Sequence, residues 1–168
     1  SSGVSGAGRI AKLANIYSEV GDSYRAYGAD GHRHLPEVVQ GLNDISGDSI
    51  GVTFVPHLLP INRGIHATIF VNLTDLDLDL FNLYKSVFKD KPFVSILPFG
   101  EHPQTRNVRG SNHCQIGLHR PFGGRKAVIL VVIDNLVKGA SGNAVECMNI
   151  IFDLDQTLGF EEMIPLYL

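Results

Sequence analysis

Tryptophan is absent from this 168-residue chain, and cysteine and methionine occur twice each, at Cys114, Cys147, Met148 and Met163. Two cysteines cannot build a disulfide framework and suit a reducing interior. No apolar run approaches the roughly 18 residues of a membrane-spanning helix. The longest, Ala127 to Ile133, has the length and β-branching of a buried strand. No signal peptide is read at the start. A net charge of −3 with 18% charged residues gives no reason to expect nucleic acid or an anionic membrane as partner. Repeats, low-complexity blocks and heptads are also missing. With 44% hydrophobic residues the chain suffices for one well-buried core and is too short for two ordinary domains, so residues 1–168 are read as one globular, soluble, cytoplasmic unit. Its opening, Ser1-Ser2-Gly3-Val4-Ser5-Gly6-Ala7-Gly8-Arg9, lacks an initiator methionine. Two readings stand: a flexible small-residue lead, or the interior of a larger protein entered at an active-site loop.

What is present begins with Val55-Pro56-His57-Leu58-Leu59-Pro60-Ile61-Asn62-Arg63-Gly64-Ile65. Ile50 to Val55 and Ile65 to Leu73 read as strands on either side. The connection then holds one imidazole and one guanidinium, stiffened by two prolines that have little conformational freedom to lose. Histidine titrates near neutral pH, and arginine grips a carboxylate or phosphate through a two-pronged fork. The pairing suits acid–base chemistry on an anionic substrate; a strand connection with solvated polar groups is the alternative.

Elsewhere, Pro36 and Glu37 are good first-turn residues of a helix whose apolar face is Leu35, Val38, Val39 and Leu42, ended near Gly47. Asp75 to Leu80 alternates like a strand, but Leu80, Leu83, Tyr84, Val87 and Phe88 repeat at helical spacing, so a helix over 78–89 is expected. Further strands are read at 92–98, 114–119 and 126–133, and a long polar loop over 99–112 carries Arg106 and Arg109. The last helix is read over 141–154, with Ala144, Val145, Met148, Ile151 and Phe152 on one face. Strands paired by turns with interspersed helices indicate an α+β fold, a mixed and largely antiparallel sheet covered by helices on one face.

Between the 126–133 strand and the last helix lies Asp134-Asn135-Leu136-Val137-Lys138-Gly139-Ala140-Ser141-Gly142. Exposed amides at a helix start attract anions, Lys138 adds charge, and Gly139 and Gly142 permit close approach. It is neither a P-loop nor G-x-G-x-x-G, and a small-residue helix start packed on a neighbour is the equal alternative. His32-Arg33-His34 resembles a metal pair but has no acidic or cysteine partner at a familiar zinc spacing, so no metal is expected there. Hydrogen bonds from these residues to the adjoining helix start are the simpler reading. His66 and His119 lie inside strands and read as structural, and both cysteines read as core residues.

The stretches SGVSGAGR, AYGADGHRHLPE (26–37), FVPHLLPINRGI (54–65), VRGSNHCQIG (108–117) and IDNLVKGASGNAVECMN (133–149) together resemble the N-acetyl-γ-glutamyl-phosphate reductase family, in order over almost the whole chain. The resemblance implies the second, α+β domain of such an enzyme, similar to the catalytic domain of glyceraldehyde-3-phosphate dehydrogenase. The family's NADP-binding Rossmann domain and its nucleophilic cysteine, in a Gly-Cys turn upstream, have no match here. The family converts N-acetyl-L-glutamyl 5-phosphate to N-acetyl-L-glutamate 5-semialdehyde with NADPH, through a cysteine thioester, in arginine biosynthesis. By that resemblance His57 is the general acid–base. Arg63 binds the substrate's carboxylate or phosphate, and Ser5, Gly6, Tyr27, His32 and His34 line the substrate. Lys138, Gly139, Ala140 and Gly142 approach the nicotinamide end of NADP. It further implies a homodimer or homotetramer, residues 156–168 as a tail on the Rossmann domain, and no catalysis by this chain alone. An aspartate-semialdehyde dehydrogenase-like domain and a non-catalytic oligomerising or anion-binding domain are the rival readings.

Overall fold

The computed structural model describes residues 1–161 and 163. Its frame grows from the apolar run at 126–133. This strand, β7 (Lys126–Ile133), lies between β4 (Ile65–Asn72) and β6 (Cys114–His119), antiparallel to both. The registers Ile65↔Ile133 and Cys114↔Ile133 align the pleats of all three strands. Ile116, Leu118, Ile129, Val131 and Ile133 therefore share one face. Helix α3 (Leu80–Val87) covers that face, with Tyr84 and Phe88 packed on Cys114, Ile116, Leu118 and Ile129. Each fully buried aliphatic side chain here is worth about 1.5–3 kcal/mol. The ambiguous Asp75–Leu80 alternation resolves as a helix entry: the Asp79 carboxylate caps α3 by accepting the Asn82 N–H at 3.0 Å.

Opposite α3, the polar 99–112 segment lies against the sheet rather than standing free. Gly117 makes this possible: a Cβ there would come within 2.6 Å of the Glu101 carbonyl and 2.8 Å of Pro103. The His102 ring lies 4.4 Å from that of His119.

β5 (Val94–Ile96) runs parallel to β6. At the other side, β1 (Ser2–Gly3) pairs with β4 at Ser2↔Ile65 and runs parallel to β3 (His57–Leu59), which pairs antiparallel with β2 (Arg25–Ala26). The order β2-β3-β1-β4-β7-β6-β5 is a mixed sheet with a predominantly antiparallel character, as the α+β reading expects.

Three local expectations need correction. Residues 50–55 are not a strand; the strand is His57–Leu59, inside the expected loop. β2 is two residues long and pairs Ala26 with His57 and Arg25 with Leu58, which leaves 50–55 without a sheet partner. After the single turn α1 (Tyr17–Val20), helix α2 (Leu35–Ser46) forms for local reasons, with Pro36 and Glu37 in its first turn and Gly47 as its left-handed cap. No residue of α2 is buried, so its apolar face, including Val38 and Leu42, is not core. Helix α4 (Gly142–Ile151), entered through a π-helical turn at Val137–Ser141, is inverted relative to its apolar pattern. Ile151 and Phe152 are 76% and 69% exposed, while Gly142, Glu146 and Asn149 are the buried positions.

Asn149 Nδ2 donates to the carbonyls of Gln156 (3.3 Å) and Leu158 (3.0 Å), and buried Phe160 meets Phe93 edge-on at 4.9 Å. The described start of the expected tail thus returns onto this domain; 162 and 164–168 lie outside the described residues. Among the described residues no helix is long and apolar enough to cross a membrane.

Candidate active site

His57 opens β3, where its register partner is Ala26 of β2, and β1 pairs with the next two residues of the strand. Its Nδ1 lies 3.0 Å from the Val55 carbonyl oxygen. A carbonyl only accepts, so Nδ1 carries the hydrogen and the neutral ring presents Nε2 as its basic atom. The Tyr24 ring stacks on the imidazole, 5.0 Å between centroids and 25° between planes. Together they fix ring orientation and tautomer, the two requirements for directed proton transfer. Tyr27 lies one residue beyond β2 and donates its N–H to the Pro56 carbonyl at 3.0 Å. Beside it, His32 packs edge-on against Tyr27 (5.6 Å), His34 (4.8 Å) and Phe54 (5.5 Å), and its Nδ1 accepts the His34 N–H at 3.2 Å. Tyr27, His32 and His34 therefore form one aromatic cluster next to the His57 strand. Among the described residues no three His, Cys, Asp or Glu side chains converge to hold a metal ion.

Arg63 lies in the turn between β3 and β4, with its side chain 24% exposed. Its Nη2 is 3.0 Å from Asp134 Oδ2 and its Nε 3.4 Å from Oδ1, a side-on pair that orients the fork. Gly64 follows at φ +126°, where a Cβ would also lie 2.9 Å from the Thr105 side chain, so both backbone and space demand glycine. The Gly64 N–H donates to Asn135 Oδ1 at 2.7 Å, and Asn135 Nδ2 donates to Ser5 Oγ at 2.9 Å. Ser5 Oγ in turn donates to the Asn62 carbonyl at 2.6 Å. Gly6 is exposed next to this knot. Ser5, Gly6, Arg63 and Gly64 thus come together although 57 or more residues separate the serine from the turn.

The 134–142 segment divides into two parts. Gly139 and Ala140 are exposed on the π-helical turn. Lys138 instead forms an ion pair with the buried Glu146 carboxylate and lies over the Phe93 ring. Gly142 is buried: a Cβ there would fall 2.4 Å from Asn112 Oδ1 and 2.6 Å from Val137 Cγ1. Its missing side chain is filled from inside the domain, so no ligand approaches it there. Glu146 also accepts from Asn112 Nδ2 (2.8 Å) and Gln156 Nε2 (2.6 Å). Burial pushes its carboxyl pKa up, but the hydrogen bonds from Lys138, Asn112 and Gln156 and the charge of Lys138 prevail and hold it below the usual value. For a nicotinamide cofactor, the exposed, uncharged backbone at Gly139 and Ala140 fits the flat ring end, which carries no phosphate. The one cation of the segment is already neutralised, so the donor set does not fit a phosphate.

The two cysteines differ. Cys114 is buried, which raises its thiol pKa against a smaller opposing effect of Lys138, whereas Cys147 is exposed and the expectation of a core position is corrected. A thiol reagent should modify Cys147 at least about tenfold faster than Cys114 in the folded chain. Peptide mass spectrometry over a labelling time course checks this; equal rates would contradict the burial of Cys114.

Tyr24, Asp134, Asn135 and Glu146 were not singled out by pattern. For Asp134 a signal exists: an acid directly after a buried apolar strand and before a small-residue helix start has the position of a cap.

A profile of the semialdehyde dehydrogenase dimerisation domain matches residues 1–135. The chain belongs to the semialdehyde dehydrogenase dimerisation-domain family. This dimerisation domain is 55% identical over 165 residues to a protein of Polynucleobacter asymbioticus named N-acetyl-gamma-glutamyl-phosphate reductase, covering 96% of this chain and 47% of that protein. It is 56% identical over 158 residues to the protein of the same name from Pseudomonas aeruginosa, covering 94% and 46%. The chain spans about half the length of the curated relatives it matches. Among solved structures, aspartate semialdehyde dehydrogenase II of Vibrio cholerae, complexed with ASA, superposes with a TM-score of 0.65 at 18% identity, over 90% of this chain and 52% of that one. A probable aspartate-semialdehyde dehydrogenase of Pseudomonas aeruginosa gives 0.64 at 17% identity, over 79% and 42%. At such identities the structures bear on the fold alone.

Proposed function

We propose that this domain is the substrate-binding and oligomerising part of an NADPH-dependent N-acetyl-γ-glutamyl-phosphate reductase of the cytoplasm. The reductase would turn N-acetyl-L-glutamyl 5-phosphate into the 5-semialdehyde and phosphate. The observation that carries this reading is the 55–56% identity to reductases over 94–96% of the chain. Joined to it is an imidazole whose tautomer is set by a backbone carbonyl.

In this reading a cysteine outside the chain is the nucleophile. His57 Nε2 takes the thiol proton as phosphate is displaced, and returns a proton to the thiohemiacetal oxygen when the thioester is reduced. NADPH, when bound, supplies the hydride. Arg63, oriented by Asp134, takes the substrate's carboxylate or phosphate, and the Ser5–Gly6 turn lines the acyl chain. Tyr27, His32 and His34 bound the substrate on the β2 side. Gly139 and Ala140 face the nicotinamide, while Lys138 and Gly142 hold that turn in shape from behind. The functional assembly is a homodimer or homotetramer.

Joined to the remaining half of the Pseudomonas aeruginosa relative, the chain should restore NADPH formation from N-acetylglutamate semialdehyde, phosphate and NADP, followed by absorbance. Aspartate semialdehyde should turn over at least about a hundredfold more slowly, because a site built to bind polar substrate groups discriminates strongly against a ligand lacking them. The chain alone should show no turnover. Preference for aspartate semialdehyde would replace this reading with the sister activity.

A further inference from the structure

A single carboxylate joins the segments to which the proposed function gives substrate and cofactor roles. Asp134 has no exposed surface. Its Oδ2 accepts the Gly110 N–H at 2.7 Å and faces Arg63 Nη2 at 3.0 Å. Its Oδ1 accepts the Leu136 N–H at 2.8 Å, the Val137 N–H at 3.2 Å and Arg63 Nε at 3.4 Å. Three amides and one guanidinium edge thus converge on one buried group.

Stability alone is a weak reason for such a group, because a buried ion pair often contributes no more than an apolar pair of the same volume. The geometry offers another reason. Arg63 uses its Nε–Nη2 edge on Asp134, which fixes its rotamer and leaves the two N–H groups of Nη1 and the second N–H of Nη2 to donate elsewhere. An arginine held in this way has little freedom left to lose when it binds an oxyanion. The same carboxylate holds the amides that open the π-helical turn carrying Gly139 and Ala140. Neighbouring Asn135 ties the Arg63–Gly64 turn to Ser5.

We infer that Asp134 is a positioning residue: it presets Arg63 for the substrate's oxyanion and fixes the cofactor-facing turn against it, so both sides of the site keep one spacing. This rests on the reading of Arg63 as the anion ligand.

The test uses the joined full-length enzyme described above. Asp134→Asn should raise the KM for the anion that Arg63 holds, phosphate or the carboxylate-bearing semialdehyde, and that for NADP, by about tenfold or more, with a smaller change in kcat. Arg63→Gln leaves the three amide bonds to Asp134 in place; it should raise the KM for the same anion alike and leave the NADP KM within about threefold. In the double variant the effects on that anion's KM should fail to add, as expected of residues acting through one contact. If Asp134→Asn lowers Tm or the active fraction while both KM values stay normal, the inference is overturned. Normal KM values for both phosphate and N-acetylglutamate semialdehyde in Arg63→Gln also overturn it, whether or not Asp134→Asn folds. An unmutated joined enzyme without turnover would overturn the reductase reading itself and this inference with it.

Discussion

His57→Asn in the joined reductase is expected to lower turnover about a hundredfold or more while leaving the fold intact. Asparagine can still donate to the Val55 carbonyl, as the histidine Nδ1 does. It carries no basic atom at the Nε2 position, so the thiol keeps its proton and the developing alkoxide has no acid beside it. The fold should survive because β3 is held by backbone pairing to β1 and β2, not by the imidazole. Steady-state rates set beside circular dichroism and an unfolding curve decide the matter. A folded variant with a near-normal rate would remove His57 from proton transfer and direct attention to His32 and His34, the imidazoles of the neighbouring aromatic cluster.

Glu146→Ala should be the most damaging change to stability, about 3–5 kcal/mol by urea unfolding. The loss follows from leaving Lys138 as a partly buried, unpaired charge and Asn112 and Gln156 without their acceptor. Asn112 Oδ1 is already a buried oxygen without a hydrogen-bond partner among the described residues, so the gap would add to a polar cluster that is not fully satisfied to begin with. The pH dependence carries a definite sign. Because the folded carboxyl lies below its ordinary value of 4.5, its contribution is present above that pH and is lost as pH falls through the lower, folded value. Acid should therefore shift the urea midpoint of the wild-type chain more than that of Glu146→Gln. Parallel acid profiles would show that other carboxylates set the acid limit.

How much of this was legible beforehand depends on the distance over which each interaction acts. Strands β4, β6 and β7 follow from apolar runs and β-branching, and α3 from its 3.6-residue repeat beneath a capping aspartate. The α+β class follows from the order of those elements. β3 escaped because three residues between two prolines show no period, and its existence depends on the two-residue strand beside it. The α4 pattern misled for a physical reason. Apolar periodicity marks a core-facing side only when the core is apolar, and here Glu146 and Asn149 turn inward onto a hydrogen-bonded network.

By itself, then, the sequence determined the architecture class, the central antiparallel trio and the residue types of the candidate site, because period, capping and turn chemistry act within a few residues. Tertiary structure alone decided which of those residues are free to act. Arg63 and Asp134 are 71 positions apart, and Asn135 reaches Ser5 across 130. Only the folded sheet sets the guanidinium against one carboxylate, neutralises Lys138 on Glu146, and leaves the Nε2 of His57 as the open basic atom of its ring. Ion pairing and hydrogen bonding at such separations depend on where the strands bring their ends, which no local pattern encodes.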